Sequence, residues 1–380
     1  QTFDITSVNL LYSNIGNSSG EGTFNNFGSV TRSVGTARTT FASGVSFVSD
    51  NGSIDAGAAT IRIFNGTYNG TLTSTGDVNL RGTQHFNSAD LVGEIGWTGG
   101  TITGTLNVLV GSSFAIESDG AHRNLTGTIN NSGTTVLNMT GFEFRINDGG
   151  VFNNLAGATF DITSGSLLYS NIGNSAGEGT FINSGSVTRS VGTARTTFAS
   201  GVSFVSDNGS IDAGAARIRI FNGTYDGTLT SSGNVDLQGA HQFNNADLVG
   251  EIDWIGGTFT GTLNILNGST LALEGNTASR FLTGTINNSG TTTLNVASSS
   301  FYINDGGVFN NLADGTFDLT GNDSIRNNSG SGAFNNFGSL IKSVGTSSIR
   351  VESGISFVST DGIIDAGAGA ITIYNGTHNG

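Results

Sequence analysis

The chain has 380 residues, 60 of them Gly, with no Pro and no Cys. Missing Cys excludes a disulfide framework, Cys-ligated zinc, iron–sulfur clusters and thiol catalysis, and missing Pro, where about 19 would be expected at average usage, marks a chain that uses nearly every backbone N–H in a sheet. Fourteen basic against 28 acidic residues leave a net charge of −14, which gives no electrostatic footprint for nucleic acid or an anionic membrane surface, and no run reaches the ~18 apolar residues of a spanning helix.

Taken from the N-terminus, the first motif is Phe3-Asp4-Ile5-Thr6, which returns at Phe160-Asp161-Ile162-Thr163 and at Phe317-Asp318-Leu319-Thr320, both steps being 157 residues. Residues 29–59 are identical to 186–216; packing alone would fix only the inward positions, so the identity signals a recent duplication. The third copy is partial and loses four residues between Gly321 and Gly332. The chain is therefore read as one continuous repeat domain, 1–380, with tandem repeats 3–159, 160–316 and 317–380.

Within each long repeat a shorter motif recurs, Gly, small, apolar, Asn: Gly22-Thr23-Phe24-Asn25, Gly66-Thr67-Tyr68-Asn69, Gly104-Thr105-Leu106-Asn107, Gly127-Thr128-Ile129-Asn130 and Gly150-Val151-Phe152-Asn153. Halving the two longest gaps gives seven units averaging about 22 residues, the length of one coil of three short strands. Ile61-Arg62-Ile63, Val78-Asn79-Leu80, Phe114-Ala115-Ile116 and Phe142–Ile146 alternate with period two, as half-buried strands do. Gly, Asn, Asp and Ser clusters such as Ser49-Asp50-Asn51-Gly52 separate them and supply turn chemistry. The expected fold is all-β, a right-handed parallel β-helix of about 22 residues per coil and about 17 coils, a rod near 80 Å at the ~4.8 Å strand spacing. The aligned Asn25, Asn69, Asn107, Asn130 and Asn153 should stack as an amide ladder, broken where Asp226 and Ile182 replace Asn.

These repeats, with stretches such as Leu125–Thr135, resemble those of large secreted bacterial β-solenoid proteins: filamentous-haemagglutinin-type adhesins, autotransporter passengers and cyanobacterial surface fibres. The resemblance implies an extracellular or cell-surface location and a stalk, filament, matrix or adhesive role. Its implied partners are neighbouring solenoid segments or identical chains in a fibre, with glycans or cell surfaces as the adhesive alternative. The start at Gln1 and the lack of distinct sequence at either end lead us to expect a piece of a longer protein rather than a stacking protomer.

Candidate chemistry is sparse, and no catalytic, cofactor-binding or metal-binding residue is assigned. A polysaccharide lyase or hydrolase would need clustered carboxylates with Arg or Lys, whereas Asp50, Asp55, Asp77, Asp119 and Asp148 read as single corner residues. Asp50–Asp55 holds half the oxygen ligands of a calcium loop but reads better as an Asx turn; no cofactor is expected beyond calcium held loosely at the acidic surface. The Thr71/Thr73, Thr101/Thr103 and Thr258/Thr260 pairs lack the regular register of an ice-binding face. His85, His122, His241 and His378 share no ligand spacing. Trp97, Trp254, Tyr68 and Tyr225 recur at equal repeat positions, as glycan-stacking aromatics or, more simply, as core. Asn-x-Ser/Thr triplets follow from composition. Lys342 is the lone lysine, so Lys–Asn isopeptide staples are not the source of strength.

Overall fold

The computed structural model describes residues 1–6, 13–16, 21–164, 170–275, 278–296 and 299–379. Cα packing separates two compact units, Gln1–Ser203 and Phe204–Gly380. Each is a parallel β-solenoid. Among the described residues every regular element is a strand, and no helix is long and apolar enough to cross a membrane.

In the first unit the strands stack on three faces. Gly22–Asn26 opens the first, pairing with 45–49 and, through successive coils, with Arg123–Leu125, Glu143–Ile146 and Ser170–Gly173. The second face carries Thr2–Asp4, Ser29–Thr31 and later Thr128–Asn131, Val151–Asn154 and Gly179–Asn183. The third carries Ser13–Ile15, Ser113–Glu117, Thr134–Asn138 and Thr159–Ile162. The second unit repeats the pattern, with Thr285–Asn288, Gly307–Asn311 and Gly332–Asn336 in one stack. Alternation decides what is inside: Ile61, Ile63, Val78, Leu80, Phe114 and Ile116 are buried as the period predicts.

Two expectations need correction. The number of turns departs slightly from seventeen, and about 22 residues per coil holds as an average over coils of very different lengths. Gln84 pairs with Gly66 and Asn79 with Gly96, giving narrow coils of 18 and 17 residues, whereas Thr2 pairs with Ser29 and Val151 with Thr180, giving 27 and 29. In the narrow coils the corners are made by left-handed residues such as Gly57, Gly70 and Gly76, with φ of 57°, 64° and 72°, and strands run on through them as Ser53–Leu80 and Ser210–Ile265. The long repeat is also not seven whole coils. Gly22–Asn26 lies on the first face, but its image Gly179–Asn183 lies on the second. Each long repeat therefore advances by seven turns and one third.

The core is a column of stacked rings. Phe24 lies on Phe47 at 5.6 Å and 9°, and Phe152 on Phe181 at 5.1 Å and 8°. In the second unit Phe334 stacks on Phe309 at 5.1 Å and on Phe357 at 5.7 Å. Parallel in-register pairing puts like side chains one strand spacing apart, and such ring pairs add about 0.5–1.5 kcal/mol each beyond area burial.

Candidate functional site

The Asn-Asn of the short motif builds two ladders because neighbouring residues of a strand face opposite ways. The first Asn of each pair lines the outside: Asn153 Nδ2 donates to Asn130 Oδ1 at 2.7 Å, Asn130 to Asn107 at 2.8 Å, and Asn107 to Asp90 at 2.8 Å. Ile182 ends this run by register. In the second unit Asn335, Asn310, Asn287 and Asn264 form the same chain, ending on Asp247. Asn25 and Asn69 do not join it. They lie on the first face, where Asn25 is opposite Val48 and Asn69 accepts from Asn87 at 2.6 Å; the third-of-a-turn advance moves motif copies off one line. Asp226 continues a ladder by accepting from Asn244 at 2.8 Å.

The second Asn forms a ladder that the sequence reading missed. Asn131 Nδ2 donates to Asn154 Oδ1 at 2.9 Å and to Thr159 O at 3.0 Å, and Asn154 repeats this with Asn183 and Ser186. Asn288, Asn311 and Asn336 do the same in the second unit. These side chains are wholly buried, and their amides run opposite to the outer ladder. The repeated Asn-Asn at 130–131, 153–154, 287–288 and 310–311 was the available signal.

Buried cations hold the wide corners. Arg123 is fully buried; its guanidinium donates to Trp97 O at 3.3 Å and to Ala121 O, and burial pushes its pKa down to about 10. Its counterpart Arg280 donates to Trp254 O, Gly275 O, Ala278 O and Ser299 Oγ. Arg32, Arg189 and Lys342 are a second equivalent set, contacting Thr39, Thr196 with Ser164 O, and Gly321 O with Val344 O respectively. Carbonyl and hydroxyl oxygens rather than carboxylates accept these hydrogen bonds.

On the third face of the first unit an open groove of about 330 Å³ is bordered by Asp77, Asn79, Glu94 and Glu117, with Gly96 and Ala115 on its floor. Asp77, expected to stand alone, accepts from Asn79 at 2.7 Å and contacts Thr60. Burial, reinforced by Asp77 and opposed by Arg123, raises the Glu117 pKa. A Cβ on Gly96 would lie 2.6 Å from Asn79 Oδ1, which has no partner, and 3.3 Å from Glu117 Oε2. The identical stretch of the two long repeats ends at this face: Thr60, Asp77, Asn79 and Gly96 become Arg217, Asn234, Asp236 and Asp253. There Asp236 is fully buried and its Oδ2 accepts from Arg217 at 3.2 Å and from Arg219 at 3.1 and 2.9 Å.

The remaining sequence candidates are not gathered into a site. Asn51 and Asn208 adopt φ of 50° and 54° and accept from Thr71 N and Thr228 N at 3.0 Å; Asp55 accepts from Gly57 N and Thr75 Oγ1. That is turn bonding, and among the described residues no three His, Asp or Glu side chains converge as a metal-binding group. Asp119 pairs with Arg62 at 3.4 Å and Arg81 at 3.0 Å, while Asp148 turns a corner at φ 50°. Thr101 faces Thr83, but Thr103 faces His85, and Thr71 and Thr73 face Asp90 and Val92. His122 lies against Arg145, His85 bonds Thr103, His378 is exposed and His241 is buried. Trp97, Trp254, Tyr68 and Tyr225 are all 0% exposed and belong to the core. An outward aromatic pair does occur elsewhere: Phe281 stacks on Tyr302 at 5.2 Å and 15°.

No known family model matches the chain, and no curated protein matches it. Among solved structures, the crystal structure of a TibC-catalysed hyper-glycosylated TibA fragment aligns over 98% of this chain and 99% of that one, at 16% identity and a TM-score of 0.31. A superposition this loose carries no argument about function.

Proposed function

We propose that the chain is a structural repeat region of a bacterial cell-surface or extracellular fibre, acting as a stiff stalk, filament or matrix component. The observation that carries this reading is the doubling of the backbone ladder, over runs of successive coils, by two Asn ladders, one outside and one buried. Where the ladders run, adjacent coils are bonded by main-chain and side-chain hydrogen bonds in register. Each is worth about 1 kcal/mol net, but an extending force loads many of them in parallel. A surface of net charge −14 repels its own copies and limits sideways association.

The adhesive alternative has no help from the four repeated aromatics, which lie in the core. The reading has no catalytic step and no cofactor. Electron micrographs of this chain should show thin, unbranched rods or fibres, and mechanical stretching of it between handles should show stepwise rupture at high force. Compact particles in the micrographs, or extension at the low forces of a disordered linker, would refute the proposal.

A further inference from the structure

The geometry points to a carboxyl–carboxylate pair in the second unit, in which Asp253 holds a proton and donates it to Asp236, sealing the face that is an open groove in the first repeat. Asp236 is fully buried, and while its Oδ2 is taken by Arg217 and Arg219, its Oδ1 meets no donor. A buried carboxylate oxygen left bare is costly. The position one coil away is where the missing donor can come from. In the first repeat Asn79 and Gly96 are opposed in register, and a Cβ at Gly96 would lie 2.6 Å from Asn79 Oδ1. The second repeat places Asp236 and Asp253 at those two positions, so two carboxyl groups stand on adjacent coils where the first repeat has an amide and a glycine.

Charge favours a retained proton. Four carboxylates gather here, Asp236, Asp253, Glu251 on the same strand and Glu274 on the next coil, against Arg217 and Arg219; the further cation Arg280 lies beside Glu274. Arg217 is 44% exposed and so partly screened. Two carboxylates of such a pair cannot both ionise cheaply in a desolvated setting, and the protons they release belong to the pair rather than to either residue. Burial first, then Glu274 and Asp236, push Asp253 up to about 7. The second repeat then carries a proton-dependent link between adjacent coils that the first, with Asn79 and Gly96, lacks.

Carboxyl-carbon NMR of the whole chain, labelled at Asp, tests this. One Asp resonance is expected to titrate near pH 7, to vanish in Asp253→Asn, and to move down by about one pH unit or more in Asp236→Asn, where the neighbouring charge is gone. Should Asp236→Asn fail to fold, Asp253→Asn still decides, because its amide can donate to Asp236 and mimic the protonated state. Titration of every Asp below pH 5, or a high-pH resonance that survives Asp253→Asn, would overturn the inference.

Discussion

At the residue scale the two long repeats act as a natural mutation series, since 157 residues separate near-identical environments. Gln84 in the first repeat accepts from Tyr68 Oη at 2.8 Å and donates to Phe64 O at 3.1 Å. Its image His241 meets Tyr225 Oη through Nδ1 at 3.1 Å and Gln238 O through Nε2 at 3.2 Å. That pairing suits the neutral ring, with Nε2 donating and Nδ1 accepting, and burial pushes its pKa down to about 4 from 6.5. Because the folded value is depressed, the unfolded chain binds the proton first. Stability is complete above pH 6.5 and is lost as pH falls toward 4, a loss on the order of 2–3 kcal/mol. Asp253 has the opposite sign: its folded pKa is raised to about 7, so its contribution is present below pH 3.8 and is lost as pH climbs through 7. The two slopes oppose one another between pH 4 and 7. Denaturation of the second unit should therefore be nearly flat with pH in the native chain. In His241→Gln stability should fall as pH rises, and in Asp253→Asn it should fall as pH drops. Equal pH profiles for both variants would show that neither group titrates as the packing requires.

At the element scale the difference between wide and narrow coils decides which glycines are indispensable. Strand alternation and the Asn-Asn motif were legible because they reflect side-chain direction. The narrow coils were not, because a corner made by one left-handed glycine, such as Gly70 at φ 64° or Gly76 at φ 72°, leaves no turn-length gap between strands. Gly93 has φ of 100°, and a Cβ there would lie 1.9 Å from Ser74 O on the preceding coil; Gly250 repeats this against Ser231 O. Gly111, on a wider coil, has φ of 81° with nothing within 4 Å of a Cβ. Gly111→Ala should cost only left-handed backbone strain, about 1–2 kcal/mol. Gly93→Ala must also push two coils apart and should cost more than about 3 kcal/mol. Urea denaturation of the two variants measures the contrast, and similar midpoints would mean that the coil spacing yields freely at these corners.

At the scale of the whole molecule the 157-residue period was plain in the sequence, but its phase on the solenoid was not. Counting motifs counts strands. Which face each strand occupies depends on corners, and the number of strands in a long repeat does not divide by three. The candidate groove was hidden for the same reason: Asp77, Glu94 and Glu117 are far apart in sequence, and only the narrow coils bring them side by side. This phase has a consequence for the chain as a modular object. In the first unit Thr159–Ile162 pairs with 134–137, and in the second Thr316–Leu319 pairs with 291–294 through the same inward Phe and outward Asp. Removing residues 160–316 would join Thr159 to Phe317 and leave Thr-Phe-Asp-Leu where Thr-Phe-Asp-Ile stood. Every later face is relabelled by a third of a turn, yet each strand still meets an equivalent neighbour, because strand pairing in a solenoid joins only adjacent coils. Asn335 would also take the ladder position that Ile182 interrupts, and accept the same role toward Asn153 that it has toward Asn310. The shortened chain should fold, with unchanged β-sheet circular dichroism per residue and a melting temperature no lower than that of the full chain. Aggregation or loss of the β signal would show that the long repeat, rather than the single coil, is the unit that must be kept whole.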